Sequence, residues 1–255
     1  MIASLGMYDF GPAQGANDRL WSLVRGHLRD HGIDAPETLT RGEPAYWHAW
    51  QSPDLILSQT CGYPFRAKLH GRVAYVGTPD YAVEGCAPGQ YRSVFVVRAD
   101  EPRDTLAAFD GARFAYNEPL SQSGWAAPQT HAAQLGIRLV PTVQTGAHRL
   151  SAQAVVDGKA DIAALDAVTY ALMQDSDLAG GLRVIGRTAP TPGLPFITAR
   201  DRDPAPIFEA VREAIDALAP DDRRVLRLRG FVRFPLADYL AVPNPPSPEQ
   251  IAASI

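Results

Sequence analysis

Two serine hydroxyls and a run of backbone N–H groups at a helix start hold an anion without any cation, and NEPLSQSGWAA (residues 117–127) has that composition. Ser121, Gln122, Ser123 and Gly124 fall where strand-like RFAY (113–116) gives way to a helical pattern. The same residue types also have a purely structural use, because Ser is a favoured helix N-cap. His148 follows QTG and opens another helical stretch, where an imidazole N–H meets an anion or a surface His merely caps. Asp166 closes the strand-like DIAAL. Its carboxylate repels a bare dianion and suits a ligand that also carries a cation or a hydroxyl; alternatively it caps the next helix. Tyr8, Tyr91, and the run Ser58, Gln59, Thr60 stand at the ends of other strand-like segments, as ligand contacts or as ordinary packing.

The elements that must carry these residues alternate. Strands are predicted at 2–7, 54–58, 72–77, 92–98, 113–116, 138–143, 161–165 and 182–186. Helical periodicity marks 17–31, 44–51, 63–70, 104–110, 124–135, 148–158, 167–174 and 204–219, with Asn17 able to cap the first and Gly32 stopping it. This alternation predicts an α/β fold with mostly parallel sheets, whose ligands bind beyond the carboxyl ends of the strands. Turn-rich punctuation near 85–102 and 186–198 brackets a middle of about 90 residues, the size of a small domain. The expected organisation is therefore a discontinuous lobe 1 (1–92 plus 191–255) and a lobe 2 (93–190), with a ligand cleft between them. The tail AVPNPPSPEQIAASI reads as loosely held extended chain.

Several segments, in order, carry a family likeness: IASLGMYD, SQTCGYP (58–64), QYRSVFVVR (90–98), NEPLSQSGW (117–125), TGAHRLSAQAVVDGKADIAALDAVTY (145–170) and APTPGLPF (189–196). Together they resemble the phosphonate-type substrate-binding proteins of ABC importers, over nearly the whole chain. The resemblance implies two Rossmann-like lobes joined by two hinge strands, the type II periplasmic-binding fold, closing on a small oxyanion. It implies that the S-x-S-G turn of Ser121–Gly124 grips phosphonate oxygens, that His148 contacts the ligand, that Tyr91 is a cleft aromatic, and that Asp166 meets a ligand amine. It also implies delivery to a membrane permease with no bond made or broken.

Composition is consistent with that picture. The 255 residues are 46% hydrophobic and 20% charged with a net charge of −4, an ordinary globular balance that does not attract nucleic acid. A DNA-binding segment, a P-loop, a G-x-S-x-G elbow and an H-E-x-x-H pair are all missing, and the six histidines form no metal pattern, so neither cofactor nor metal is expected. The expected partners are a small anionic ligand and a permease, with the protein monomeric. The alternative is a cytosolic enzyme or sensor reusing the same fold. MIASLGMYDF has no basic n-region or cleavage site, which predicts a periplasmic protein if a leader has been removed and a cytoplasmic one otherwise. Cys61 and Cys86 each lie near the end of a strand-like segment of lobe 1, and a disulfide between them, closing about 25 residues, is expected.

Overall fold

A computed structural model describes residues 1–174 and 176–254. The chain divides into two compact units, one formed by Met1–Gln90 with Pro192–Ala241, the other by Tyr91–Thr191 with Val242–Ile255.

The first unit is built on a five-stranded sheet in the order Ile2–Ser4, Leu55–Gln59, Phe196–Ala199, Val73–Asp80, Gly230–Val232. Ile2–Ser4 runs parallel to Leu55–Gln59, whereas Phe196–Ala199 is antiparallel to both its neighbours. Every residue of Leu55–Gln59 is buried, as a strand covered on both faces requires. Helices Ala13–Asp30 and Pro204–Ala217 pack together on this unit. Leu20, Val24 and Leu28 in the first, and Ile207, Val211 and Ile215 in the second, recur every three or four residues and are buried.

The second unit repeats the plan in the order Leu139–Gln144, Ala112–Tyr116, Ile162–Asp166, Ser93–Arg98, Leu182–Arg187. Ala112–Tyr116 is parallel to both Leu139–Gln144 and Ile162–Asp166, and Ser93–Arg98 is antiparallel to its neighbours. Each of the three parallel strands runs into a helix at its carboxyl end: the helix from Gln122, the helix His148–Val156, and the helix Ala167–Leu172. Val94, Val96, Ala163, Leu165, Ala152 and Val155 form the core between sheet and helices.

Several expectations need correction. The first helix starts at Ala13, behind Pro12, so Asn17 lies inside it and donates its amide to Asp9 Oδ1 at 3.0 Å rather than capping. The first strand ends at Ser4, and Gly6–Tyr8 is a single helical turn. From Val242 onward the tail groups with the second unit, not with lobe 1, and its described part is held rather than loose. Ser247 and Gln250 form a capping box for the helix Pro248–Ala252, and the Trp125 indole donates to the Pro246 carbonyl at 3.2 Å. Cys61 and Cys86 are both thiols, so the expected disulfide is not formed. Cys61 is buried, while Cys86 sits half-buried in a turn after Val83. No described helix is long and apolar enough to cross a membrane.

Candidate functional site

The carboxyl edge of the parallel strands in the second unit gathers three of the predicted groups. After Tyr116 the chain turns through Glu118–Leu120 and enters a helix whose first turn, Gln122–Ala126, is wide, before continuing as Ala127–Gln134. Ala126 and Ala127 donate back five residues, to the Ser121 and Gln122 carbonyls. Such widened turns concentrate at functional positions. Ser121 is the N-cap, and its Oγ accepts from Gly124 N–H at 2.9 Å. Accepting that bond leaves the Ser121 O–H available to donate. The N–H of Ser123, in the first turn, has no acceptor within its own helix.

Gly124 is required by close approach. A Cβ at this position would overlap Asn117 Oδ1, and would sit 3.2 Å from Ser121 Oγ. Trp125 then turns into the core, fully buried, with its ring 5.0 Å from that of Tyr116. The aromatic after the turn therefore anchors the helix start to the strand that precedes it.

Thr145 and Gly146 donate their N–H groups to the Tyr116 and Asn117 carbonyls, both at 2.9 Å, continuing the parallel ladder past the strand ends. Gly146 has φ +83°, a left-handed turn open to glycine, which leads into the helix that begins at His148. This ladder delivers His148 to the turn: its Nε2 lies 2.9 Å from Ser123 Oγ. Nδ1 is shielded and has no hydrogen-bond partner among the described residues, and the Ala164 carbonyl lies near the ring. Burial pushes the imidazole down to about 4, with only that carbonyl acting in the opposite direction. His148 is therefore neutral at pH 7, and no charged side chain hydrogen-bonds Ser121, Ser123 or His148 among the described residues. The positive character of the site comes from the helix start itself.

Asp166 ends its strand at 2% exposure, and its Oδ1 accepts from Val168 N–H at 2.7 Å and Thr169 N–H at 3.0 Å. That is the capping geometry. Ser93, which the sequence did not single out, pairs with Asp166 across the antiparallel strands and donates its hydroxyl to the Ser123 carbonyl at 2.8 Å. Ser93 and Thr188 bond reciprocally, each through its N–H, at 3.0 Å. Tyr91 is buried at 2% exposure two residues before Ser93. Gln122 is likewise buried.

The remaining predicted residues form a separate cluster in the first unit. Ser58 is committed to the core: its hydroxyl meets Ser4 Oγ at 2.7 Å and accepts from the Trp50 indole at 3.1 Å. Gln59 donates to the Tyr81 hydroxyl at 2.9 Å, and the Tyr81 ring stands edge-on to Tyr8, 5.0 Å away. Thr60 N–H donates to the Pro195 carbonyl at 3.0 Å, whereas its buried hydroxyl has no partner among the described residues. Thr60 Oγ1 is thus the one predicted group here with an unused donor. No cluster of three or more metal-ligating side chains exists among the described residues.

Two α/β units, each on a five-stranded sheet, define the class of periplasmic-type binding proteins, and solved structures of that class share the fold. PhnD1 from Prochlorococcus marinus, in complex with methylphosphonate, is 15% identical with a TM-score of 0.70, covering 99% of this chain and 97% of that one. XAC2383 from Xanthomonas citri, bound to chloride ion, is 18% identical with a TM-score of 0.67, covering 99% and 96%. PA3383 from Pseudomonas aeruginosa, a binding protein component of an ABC phosphonate transporter, is 16% identical with a TM-score of 0.67, covering 94% and 83%. No curated protein matches the sequence. Residues 51–240 match the family described as ABC transporter, phosphonate, periplasmic substrate-binding protein, and the chain belongs to that family. It is a substrate-binding protein of the phosphonate ABC-transporter type, a family that works with a small ligand and a permease and is not one of enzymes.

Proposed function

We propose that this chain binds a small phosphonate in the periplasm, as a monomer, and that the PO₃ end is seated on the helix start at Ser121–Gly124. The observation that carries this reading is the contact between Ser123 Oγ and a neutral His148. With its proton on Nε2, the ring donates to Ser123 Oγ and turns the Ser123 O–H outward as a donor; a bound oxyanion needs that donor and so selects this tautomer over the one with its proton on Nδ1. The Ser121 O–H and the first-turn N–H groups add further donors, so an oxyanion is held by neutral groups and the helix dipole. The methylphosphonate complex of PhnD1 and the chloride complex of XAC2383 support an anion as ligand. Tyr91 and Asp166 of the same unit are candidate contacts to the remainder of the molecule.

Titration calorimetry with methylphosphonate, inorganic phosphate and sulfate tests this. Methylphosphonate should bind, and Ser123→Ala should weaken it by about 1.5–3 kcal/mol, the worth of a hydrogen bond to a charged group. Unchanged affinity in the variant would remove Ser123 from the site, and no binding of any of the three anions would overturn the reading.

A further inference from the structure

The residue that joins the two arms of the site is Asn117. Its backbone carbonyl accepts from Gly146 N–H at 2.9 Å, two residues before His148. Its side chain lies on Gly124, occupying the space a Cβ there would take. The turn bearing Ser123 and the loop bearing His148 therefore both rest on one residue. Their 2.9 Å contact, Ser123 Oγ to His148 Nε2, spans the gap that Asn117 sets.

A second observation makes the side chain more than a spacer. Asn117 Oδ1 is shielded from solvent and accepts no hydrogen bond among the described residues. A buried acceptor without a donor is unfavourable and rare, and such groups call for a reason in the chemistry around them. This one points at the helix start, where the local field is positive. A neutral amide is tolerated there and can also turn its NH₂ inward as a donor. A carboxylate of the same shape is acceptor-only and brings a full negative charge to the floor of the anion seat.

We propose that Asn117 is a positioning and specificity-determining residue of the anion site. It sets the spacing between the Ser121–Gly124 turn and His148, and it keeps the floor of the turn uncharged so that the helix start attracts a dianion. This rests on the phosphonate reading above.

Calorimetry with methylphosphonate on wild type, Asn117→Ala and Asn117→Asp, from pH 7.5 to pH 4.5, tests the assignment. Asn117→Ala should bind about tenfold more weakly than wild type at every pH, because the spacing loosens while no charge is added. Asn117→Asp should bind on the order of 100-fold more weakly at pH 7.5, from repulsion between two charges a few ångströms apart. Its ratio to wild type should then climb towards that of the Ala variant as the carboxyl protonates. A merely structural residue gives ratios that do not move with pH, and equal pH-independent losses in both variants overturn the charge assignment. If Asn117→Asp does not fold, Asn117→Ala decides alone, and wild-type affinity in it overturns the proposal. Thermal unfolding of Gly124→Ala with and without Asn117→Ala checks the contact: the second change should restore part of the lost melting temperature. Wild type that binds no methylphosphonate overturns the functional reading and this inference together, whereas wild type that binds alongside unaffected variants overturns this inference only.

Discussion

His148 should make the protein acid-sensitive, and the size of the effect follows from its surroundings. Burial lowers the imidazole from 6.5 to about 4 in the folded chain. The unfolded chain exposes the ring and restores a value near 6.5. Above about pH 6.5 the ring is neutral in both states, and no penalty exists. As the pH falls from there, the unfolded chain takes up a proton that the folded chain refuses, so stability declines; the loss is complete once the pH has passed below about 4. An interval of about 2.5 pH units at 1.36 kcal/mol each sets a ceiling of about 3.4 kcal/mol. Part of the residue remains open to solvent, and about 1–3 kcal/mol is the expected loss.

Urea unfolding of wild type and His148→Gln at pH 7.5, 6.0, 5.0 and 4.5 measures it. Gln does not titrate, so the stability difference between the two proteins should move by about 1–3 kcal/mol in favour of Gln as the pH falls. The paired carboxylates titrate lower and equally in both proteins, so they cancel. Arg103 holds Glu101 down at about 2, and Arg113 and Arg19 lower Asp161 and Asp222. In parallel, the ring nitrogens of His148 should show no NMR titration between pH 7.5 and pH 5.5. A midpoint near 6.5, or a stability difference flat with pH, would refute both the burial argument and the neutral donor assigned to Ser123.

Asp166→Ala should lower stability by about 1 kcal/mol through loss of the helix cap, and Asp166→Asn, whose amide oxygen can accept the same two N–H bonds, should restore it in the same urea assay. Loss of aminoalkyl-phosphonate binding in the stable Asn variant, by about 2–5 kcal/mol, would instead assign a carboxylate oxygen to a ligand ammonium. Trp125→Phe keeps the ring against Tyr116 and removes the bond to the Pro246 carbonyl. Stability should fall by about 0.5–1.5 kcal/mol, with faster amide exchange in residues 242–254. Unchanged exchange there would show that the indole bond does not hold the tail.

The periodic elements were legible because burial imposes periodicity. Leu20, Val24 and Leu28 advertise a helix, and the apolar run DIAAL advertises a buried strand, wherever they stand in a chain. Short elements held by distant partners were not. Gly230–Val232 is a strand only because it pairs with Val73–Asp80, more than a hundred residues earlier in the chain. The tail was misread because its prolines outweighed a signal that was present: Ser247 and Gln250 have the S-x-x-Q spacing of a capping box. Pro12 was the corresponding signal for the first helix, since proline suits a helix start, and Asn17 drew attention away from it.

The site was half legible for a similar reason. Ser121, Ser123 and Gly124 are neighbours in sequence, so their shared place at one helix start is visible locally. The pairing of Ser123 with His148 depends on two parallel strands ending level, which only the ladder from Tyr116 and Asn117 to Thr145 and Gly146 secures. Nothing in sequence linked Asn117 to Gly124 or Ser93 to Ser123 either.

That ladder matters because the donors are neutral. A hydrogen bond from a neutral donor to a charged oxygen is worth about 1.5–3 kcal/mol. Three such bonds sum to about 5–9 kcal/mol before the cost of immobilising the ligand, against about 8 kcal/mol for micromolar binding. No single donor is dispensable at that level, whereas a buried Arg or Lys could hold the anion despite loose geometry. A site that relies on neutral groups must therefore fix their spacing closely, and a shift that breaks one bond removes about tenfold or more in affinity. Gly124, which lets Asn117 approach, and Ser93, which grips the Ser123 carbonyl, are residues whose contribution to binding at the proposed seat would be geometric in this sense. A net negative protein can bind an anion on such terms, because the attraction of a helix start acts within its first turn and needs no net positive charge.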